Sequence, residues 1–366
     1  MFKENGTEAG YSLHNLFSVN IFVGLSCLVY RLPKQKTAHF YSGKFTEISA
    51  KIPSEAVFLA APFQPADTIF ALKPEYYQEI SDLTSAGFPH LVFNESKQEL
   101  PHSITRQNYT QAVQKAIDEI DAGKLEKVVV SRPFKTTLAE NFNPLLLFTR
   151  LAEKYPDAFV YLLFSPELGN WAGATPEQLL KIEDQQLETI ALAGTRHIND
   201  AEKIPSPEQV FSAKEIHEQA VVTQYIQAVL TPGTQNLNIG RPHLKQAGNL
   251  YHLATTFSGK LKHNNWLQLL KNLHPTPAVG GIPLQQAKRF ISENEKYDRG
   301  LYSGFLGPVE DSGNTNLFVN LRCMQFNQTE VVYYVGAGIV SGSDPEKEWQ
   351  ETEHKMRTLL DVMETL

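Results

Sequence analysis

The chain of 366 residues predicts an α+β fold built on large antiparallel sheets. Three observations predict it. Short apolar runs recur in hairpin-like pairs, helix-periodic segments stand between them, and no GxGxxG or Walker-type glycine loop marks a parallel nucleotide-binding array. With 42% hydrophobic and 20% charged residues, the composition is that of a soluble globular protein large enough for one large core or two.

The elements follow in order. The apolar run 19–32, interrupted by Asn20, Ser26 and Arg31, is shorter than the roughly 20 residues a membrane span needs. No basic segment and small-residue cleavage site frame it as a signal peptide. Its Ile, Val, Leu and Tyr content reads as a buried strand. Val57-Phe58-Leu59-Ala60 and Leu91-Val92-Phe93 read as further strands, and residues 1–100 carry no catalytic constellation. A helix is expected over 110–121, with Val113, Ala116, Ile117 and Ile120 inward and Gly123 as its stop. Strands follow at 127–132 and 158–164, the second apolar enough for burial on both faces. A hairpin turns through Glu183-Asp184-Gln185, and a helix runs from Ser212 to about Leu230. Residues 231–249, polar with Pro and Gly, read as a surface connection. The glycine-rich strand 336–340 then passes through the turn 341–345 into a C-terminal helix.

That last helix sets Trp349, Thr352, Met356, Leu359, Leu360 and Met363 on one face, as a core stripe. Glu348, Glu351 and Lys355 form a second stripe on its flank. One reading is a solvated Glu351–Lys355 pair contributing about 0.3–0.5 kcal/mol. The helix after Ser212 repeats the arrangement, because Glu215 and Glu218 head the stripe Val222, Tyr225, Val229. Glu215 also stands at the capping-box position three residues after Ser212, so capping competes with function there. Carboxylates entering a core need a cation or donors. Two helices, each with Glu at i and i+3, could jointly offer hard oxygen ligands, which suits Mg²⁺ better than zinc. Zinc spacings such as CxxC or HExxH are absent from the sequence.

A net charge of −7 and the lack of a basic patch argue against nucleic acid as a partner. Cys27 and Cys323 lie too far apart in sequence to suggest a disulfide framework, so a reducing cytoplasm is expected.

From about Tyr109 onward, a series of motifs stands in the order found in one family. It includes Lys127-Val128-Val129-Val130-Ser131-Arg132, Ala174-Thr175-Pro176-Glu177, Leu192-Ala193-Gly194-Thr195-Arg196 and His252-Leu253-Ala254-Thr255. It continues with 274–281, Tyr297-Asp298-Arg299, Arg322-Cys323, Gly336-Ala337-Gly338 and Glu348-Trp349-Gln350-Glu351. The chain resembles the chorismate-utilising enzymes, and among them the isochorismate synthases. The resemblance implies two large antiparallel sheets packed together with helices outside. It also implies one folding unit, with 1–100 a strand-rich part and 101–366 the chorismate-binding region.

The implied reaction adds water at C2 of chorismate and expels the C4 hydroxyl, giving isochorismate for menaquinone or siderophore synthesis. By resemblance Lys127 is the general base, and a lysine serves only without its proton, a form that burial favours. Glu177 is the general acid and must hold a proton near neutrality. Glu218 and Glu351 are implied as direct Mg²⁺ ligands, with Glu215 and Glu348 as an outer pair. Arg322 corresponds to the residue on the enolpyruvyl carboxylate. Gly194, Thr195, His252, Ala278, Gly336 and Lys355 are implied at the substrate. Mg²⁺, Arg322 and Lys355 together would answer how an acidic protein holds a dianion.

Relatives using ammonia usually lack lysine at position 127, and some carry one at the position of Ala193. Lys127 with Ala193 therefore implies water as nucleophile and no amidotransferase subunit. Pyruvate-expelling relatives usually have threonine at the position of Ala278, so alanine implies that the chemistry stops at isochorismate. A salicylate- or anthranilate-type synthase is the alternative. Gln219, Glu215 and Ala191 depart from the family's usual histidine, aspartate and proline. No membrane partner is expected, and a chain carrying its whole site can act as a monomer.

Overall fold

A computed structural model describes residues 12–48, 53–65, 68–81, 83, 91, 93, 99–197, 210–247, 250–262 and 266–366. The elements begin with α1 (Leu13–Phe22), β1 (Ser26–Arg31), β2 (Ala38–Gly43), β3 (Phe45–Ile48), β4 (Val57–Ala61), β5 (Ile69–Leu72) and β6 (Tyr76–Ile80). Next come α2 (Arg106–Asp121), β7 (Lys127–Thr137), α3 (Pro144–Lys154), β8 (Phe159–Phe164), β9 (Asn170–Thr175), β10 (Gln178–Glu183) and β11 (Gln186–His197). Then follow α4 (Ala213–Leu230), β12 (Thr234–Ile239), β13 (His243–Ala247), β14 (Leu250–Leu261), α5 (Trp266–Leu273), β15 (Gly281–Ile282) and α6 (Leu284–Asn294). The chain ends with β16 (Phe305–Val309), β17 (Thr315–Val319), β18 (Cys323–Phe326), β19 (Glu330–Ile339) and α7 (Pro345–Met363).

The strands build two antiparallel sheets. One has the order β15-β7-β19-β18-β9-β8-β1-β2-β6, and the other β12-β14-β11-β10-β17-β16-β4-β5-β3 with β13 on β14. Strand β8 shows why they stack. Its six residues are all buried. Val160, Leu162 and Phe164 join the core under α1, α3 and α7, while Phe159, Tyr161 and Leu163 enter the core between the sheets. That inner core is aromatic, with Phe159 stacked on Phe318 at 4.5 Å across the two sheets. A further apolar cluster joins β7 and β19 to α2 and α6, and another seats α4 and α5 on the second sheet. The order is therefore helices, sheet, sheet, helices, as expected. Strands from residues before 100 pair with later ones in both sheets, β1 with β8 and β4 with β16. Among the described residues no helix is long and apolar enough to cross a membrane.

Several local expectations need correction. The run 19–32 is not one strand: Val19 to Phe22 close helix α1, and Gly24 at φ +76° turns the chain into β1. Ser12 starts that helix by accepting from Asn15 N, a polar signal the apolar content masks. Leu91 and Phe93 lie outside any strand, and Val92 falls outside the described residues. Helix α2 starts four residues early, at Arg106, because Thr105 caps it. The connection 231–249 contains β12 and β13, both pairing with β14. Backbone ladder bonds, not an alternating apolar face, hold these outer strands. The hairpin at 183–186 turns as expected, with Asp184 and Gln185 both at positive φ.

Two crossovers position the functional residues. After β9 the chain leaves the first sheet at Pro176, which has no N–H to give a ladder, and enters β10 of the second. After β17 it returns through Asn320-Leu321-Arg322 into β18. The crossings lie side by side: Val319 N donates to the Glu177 carbonyl (2.9 Å) and Ala174 N to the Arg322 carbonyl (3.0 Å). Buried Asn320 donates to Leu301 O at 3.0 Å and accepts from the Tyr161 hydroxyl at 2.8 Å, fixing the return strand. The residues of both crossings, Pro176, Glu177, Leu321 and Arg322, line a cleft.

Candidate active site

The cleft is lined by both sheets and two helices. Glu177 and Arg322 come from the crossovers, Gly336 and Gly338 from β19, His252 from β14, Glu218 from α4, Glu351 and Lys355 from α7, and Ala278 from the loop before β15. Nine of the thirteen residues expected at the site are thereby accounted for once Lys127 is added. Its side chain is fully buried at 0% exposure, just behind the lining, with Nζ 2.7 Å from Glu218 Oε1. That contact has ion-pair distance without an aligned hydrogen bond.

Glycine makes the pair possible. A methyl at position 338 would overlap Glu218 Oε1 and stand 3.2 Å from Lys127 Cε. Gly336 is equally constrained, since an added Cβ would lie 2.9 Å from the Tyr302 hydroxyl and 3.1 Å from Val130 O. Gly336 was expected; Gly338 was not singled out, though the glycine alternation of β19 signals both. Gly338→Ala is expected to push Glu218 off Lys127. A displacement of about 1 Å can cost on the order of 100-fold in rate, so kcat should fall by at least about tenfold, and the thermal midpoint should fall with it because the buried pair is parted. Unchanged kcat would remove the constraint from the argument.

Glu177 is 5% exposed, and burial pushes its carboxyl up to about 7 against the pull of Lys127, Lys245, Lys355 and Arg322. It is thus a carboxylic acid that keeps its proton to near neutrality. Arg322 sits at φ +49°, donates to Thr358 Oγ1 at 2.6 Å, and has its pKa pulled below the ordinary value by burial. Lys355 is held 2.6 Å from Glu351 Oε1 and donates to the Gly336 carbonyl at 2.9 Å. The expected i,i+4 pair therefore exists, but at the cleft and not in solvent.

The four glutamates are not equivalent. Glu215 closes the capping box by accepting from Ser212 N at 2.8 Å and from the Ser212 hydroxyl. Glu348, 1% exposed, is off the cleft lining; with Glu351 it helps hold the Tyr109 hydroxyl above its ordinary pKa, after burial. Among the described residues no three His, Cys, Asp or Glu side chains gather closely enough to hold a metal. Glu218 and Glu351 alone of the four line the cleft. An all-carboxylate pair of this kind fits a hard cation that shares its remaining positions with water and a bound anion.

Gly194 falls at the register shift between Ala193 and Thr195, a bulge in β11 that leaves Thr195 opposite His252. The side chains of 193–197 lie outside the described residues. The sequence reading also missed what holds the floor. Buried Arg299 pairs with Glu295 (2.7 and 2.5 Å) and donates to the carbonyls of Val279 and Val129, both at 2.9 Å. It thereby ties the Ala278 loop to the strand of Lys127.

The family profile described as chorismate binding enzyme matches residues 40–364. The isochorismate synthase EntC of Escherichia coli K12 is 32% identical over 83% of this chain and 80% of its own. The isochorismate synthase DhbC of Bacillus subtilis is 30% identical over 93% of this chain and 90% of its own. In fold, MenF, the menaquinone-specific isochorismate synthase from Escherichia coli, superposes with a TM-score of 0.79 at 21% identity, covering 98% of this chain and 92% of its own.

Proposed function

The chain belongs to the chorismate binding enzyme family, and we propose that it is an isochorismate synthase. The observation that carries this reading is a buried acid and a buried amine at one cleft. Glu177 holds a proton to about 7, and Lys127, 0% exposed, lies against Glu218 on the same cleft.

Lys127 accepts the proton of a water that attacks C2 of chorismate. Glu177 delivers its proton to the C4 hydroxyl, which leaves as water while the ring double bonds shift. One water enters and one departs, so the product is an isomer. Arg322 holds the enolpyruvyl carboxylate. Glu218 and Glu351 would hold Mg²⁺, which when bound supplies positive charge to the ring carboxylate. Lys355 keeps Glu351 oriented. The Arg299–Glu295 pair keeps the loop of Ala278 at the ring, and alanine where pyruvate-expelling relatives usually have threonine supports chemistry that stops at isochorismate. Gly336 leaves room for the ring. All these groups come from residues 101–366 of one chain, which supports a catalytic unit complete as a monomer. Residues 1–100 support it by extending both sheets. Two free cysteines, Cys27 and Cys323, both buried, support a reducing cytoplasm. The product feeds menaquinone or siderophore synthesis.

Incubating the protein with chorismate and Mg²⁺ should give isochorismate without stoichiometric pyruvate, followed by chromatography. EDTA should abolish turnover, and Mg²⁺ should restore it. Abundant pyruvate would favour a salicylate- or anthranilate-type synthase, and indifference to chelation would remove the metal.

A further inference from the structure

Among the described residues, most buried or half-buried cations face a carboxylate. Lys127 lies on Glu218, Lys355 on Glu351, Arg299 on Glu295 and Arg132 on Glu353. Two that line the recess beside Pro176 do not. Arg322 spends its bonds on neutral oxygens, Thr358 Oγ1 and the Lys355 carbonyl. Lys245 makes one long hydrogen bond, 3.5 Å to the Pro176 carbonyl. Among the described residues neither cation has a carboxylate at ion-pair distance.

Strand register explains how Lys245 reaches this place. On β13 it stands directly opposite His252 of β14. Cross-strand partners project from the same face, and His252 lines the cleft. Lys245 and Arg322 also line a recess, with Tyr155 and Thr358, that continues the cleft past Pro176; Pro176 and Arg322 border both spaces. The outer charges of the recess are already answered, Lys154 by Asp361 at 3.7 Å and Asp157 by Lys34 at 4.0 Å. Burial pulls both inner cations below their ordinary pKa values. A partly desolvated cation without a counter-ion is unfavourable until an anion arrives. In a chain of net charge −7, two such cations lining one recess mark where an anionic group docks.

We infer that Lys245 is a second carboxylate-binding residue, which with Arg322 grips the side-chain carboxylate of the dianionic substrate at the Pro176 end of the cleft. The inference rests on the chorismate reading and adds a residue to it. Lys245 is a binding residue, not an acid or base, so its loss should weaken capture while leaving the chemical step alone.

Steady-state kinetics and direct chorismate binding on the wild type, Lys245→Gln, Lys245→Met, Lys245→Arg and the exposed control Lys73→Gln test this. A charge-assisted bond of this kind is worth roughly tenfold or more in binding. Lys245→Gln and Lys245→Met should therefore raise KM and Kd by about tenfold or more, with kcat within about twofold. Lys245→Arg should recover most of the loss, and kcat/KM of the neutral variants should depend less on salt than that of the wild type. Lys73→Gln should match the wild type. Unchanged KM in both neutral variants, beside an active wild type, would overturn this inference and leave the proposed function standing. So would an unchanged KM with a shifted alkaline limb of kcat, which would assign Lys245 to the tuning of Glu177. A wild type that does not turn over chorismate would overturn both.

Discussion

Lys127→Met should bind chorismate and turn it over about 10²- to 10⁴-fold more slowly than the wild type, the range general acid–base groups contribute. The Lys127 side chain is fully buried, and among the described residues the carboxylate at ion-pair distance from its amine is Glu218 Oε1 at 2.7 Å. Removing the amine therefore does two things. It removes the base, and it leaves a carboxylate only 12% exposed without its ion-pair partner. Breaking one side of such a pair can cost about 3–5 kcal/mol, so Lys127→Met should also lower the thermal midpoint. The double variant Lys127→Met/Glu218→Gln separates the effects. With both charges gone the pair is neutralised, and stability should return toward the wild type while turnover does not. Product formation by single-turnover chromatography and thermal unfolding give the two readouts. Near-wild-type turnover in either variant would end the assignment of Lys127 as base.

The parts of the fold legible in the sequence are those whose side chains carry a period. Strand β8 reads as doubly buried because both of its faces are apolar, and both are covered. The Glu stripes on α4 and α7 follow from helical geometry, and they do bring Glu218 and Glu351 to one cleft. Strands β12 and β13 were not legible, because outer strands need backbone partners more than apolar side chains. The competition at Glu215 could be posed but not resolved: a glutamate three residues after a serine can cap or ligate, and only the folded contact with Ser212 N decides. Arg299 and Lys245 were illegible for a different reason. Arg299 acts on carbonyls 20 and 170 residues away, and Lys245 reaches the cleft only through its register with His252. Neither pairing leaves a local signature, so motif resemblance reached the Arg299 region without its role and did not reach Lys245.

Glu177 carries the other large effect, and its environment dictates a pH dependence of definite direction. Burial is the dominant influence and raises the carboxyl from the ordinary 4.5 to about 7, although four cations pull the other way. As a general acid it works only when protonated. Activity should therefore be level below about pH 7 with respect to this group, and kcat should fall above it with a limiting slope of about tenfold per pH unit. Glu177→Gln, which keeps the shape and donates no such proton, should lose about 10²- to 10⁴-fold in kcat. The same raised value acts on stability. The folded chain holds this proton more tightly than the unfolded one, so the contribution is fully present below pH 4.5 and is lost as pH rises through 7. The difference is on the order of 3 kcal/mol. Relative to Glu177→Gln, the wild type should thus lose stability between pH 5 and 8 in thermal or denaturant unfolding, and the variant should be the more stable protein at the alkaline end. This is the signature of a group kept in a costly environment for its chemistry. A structural glutamate satisfied by its neighbours would show the reverse, with the wild type gaining stability on ionisation, and that result together with an unaltered kcat profile would take the acid role from Glu177.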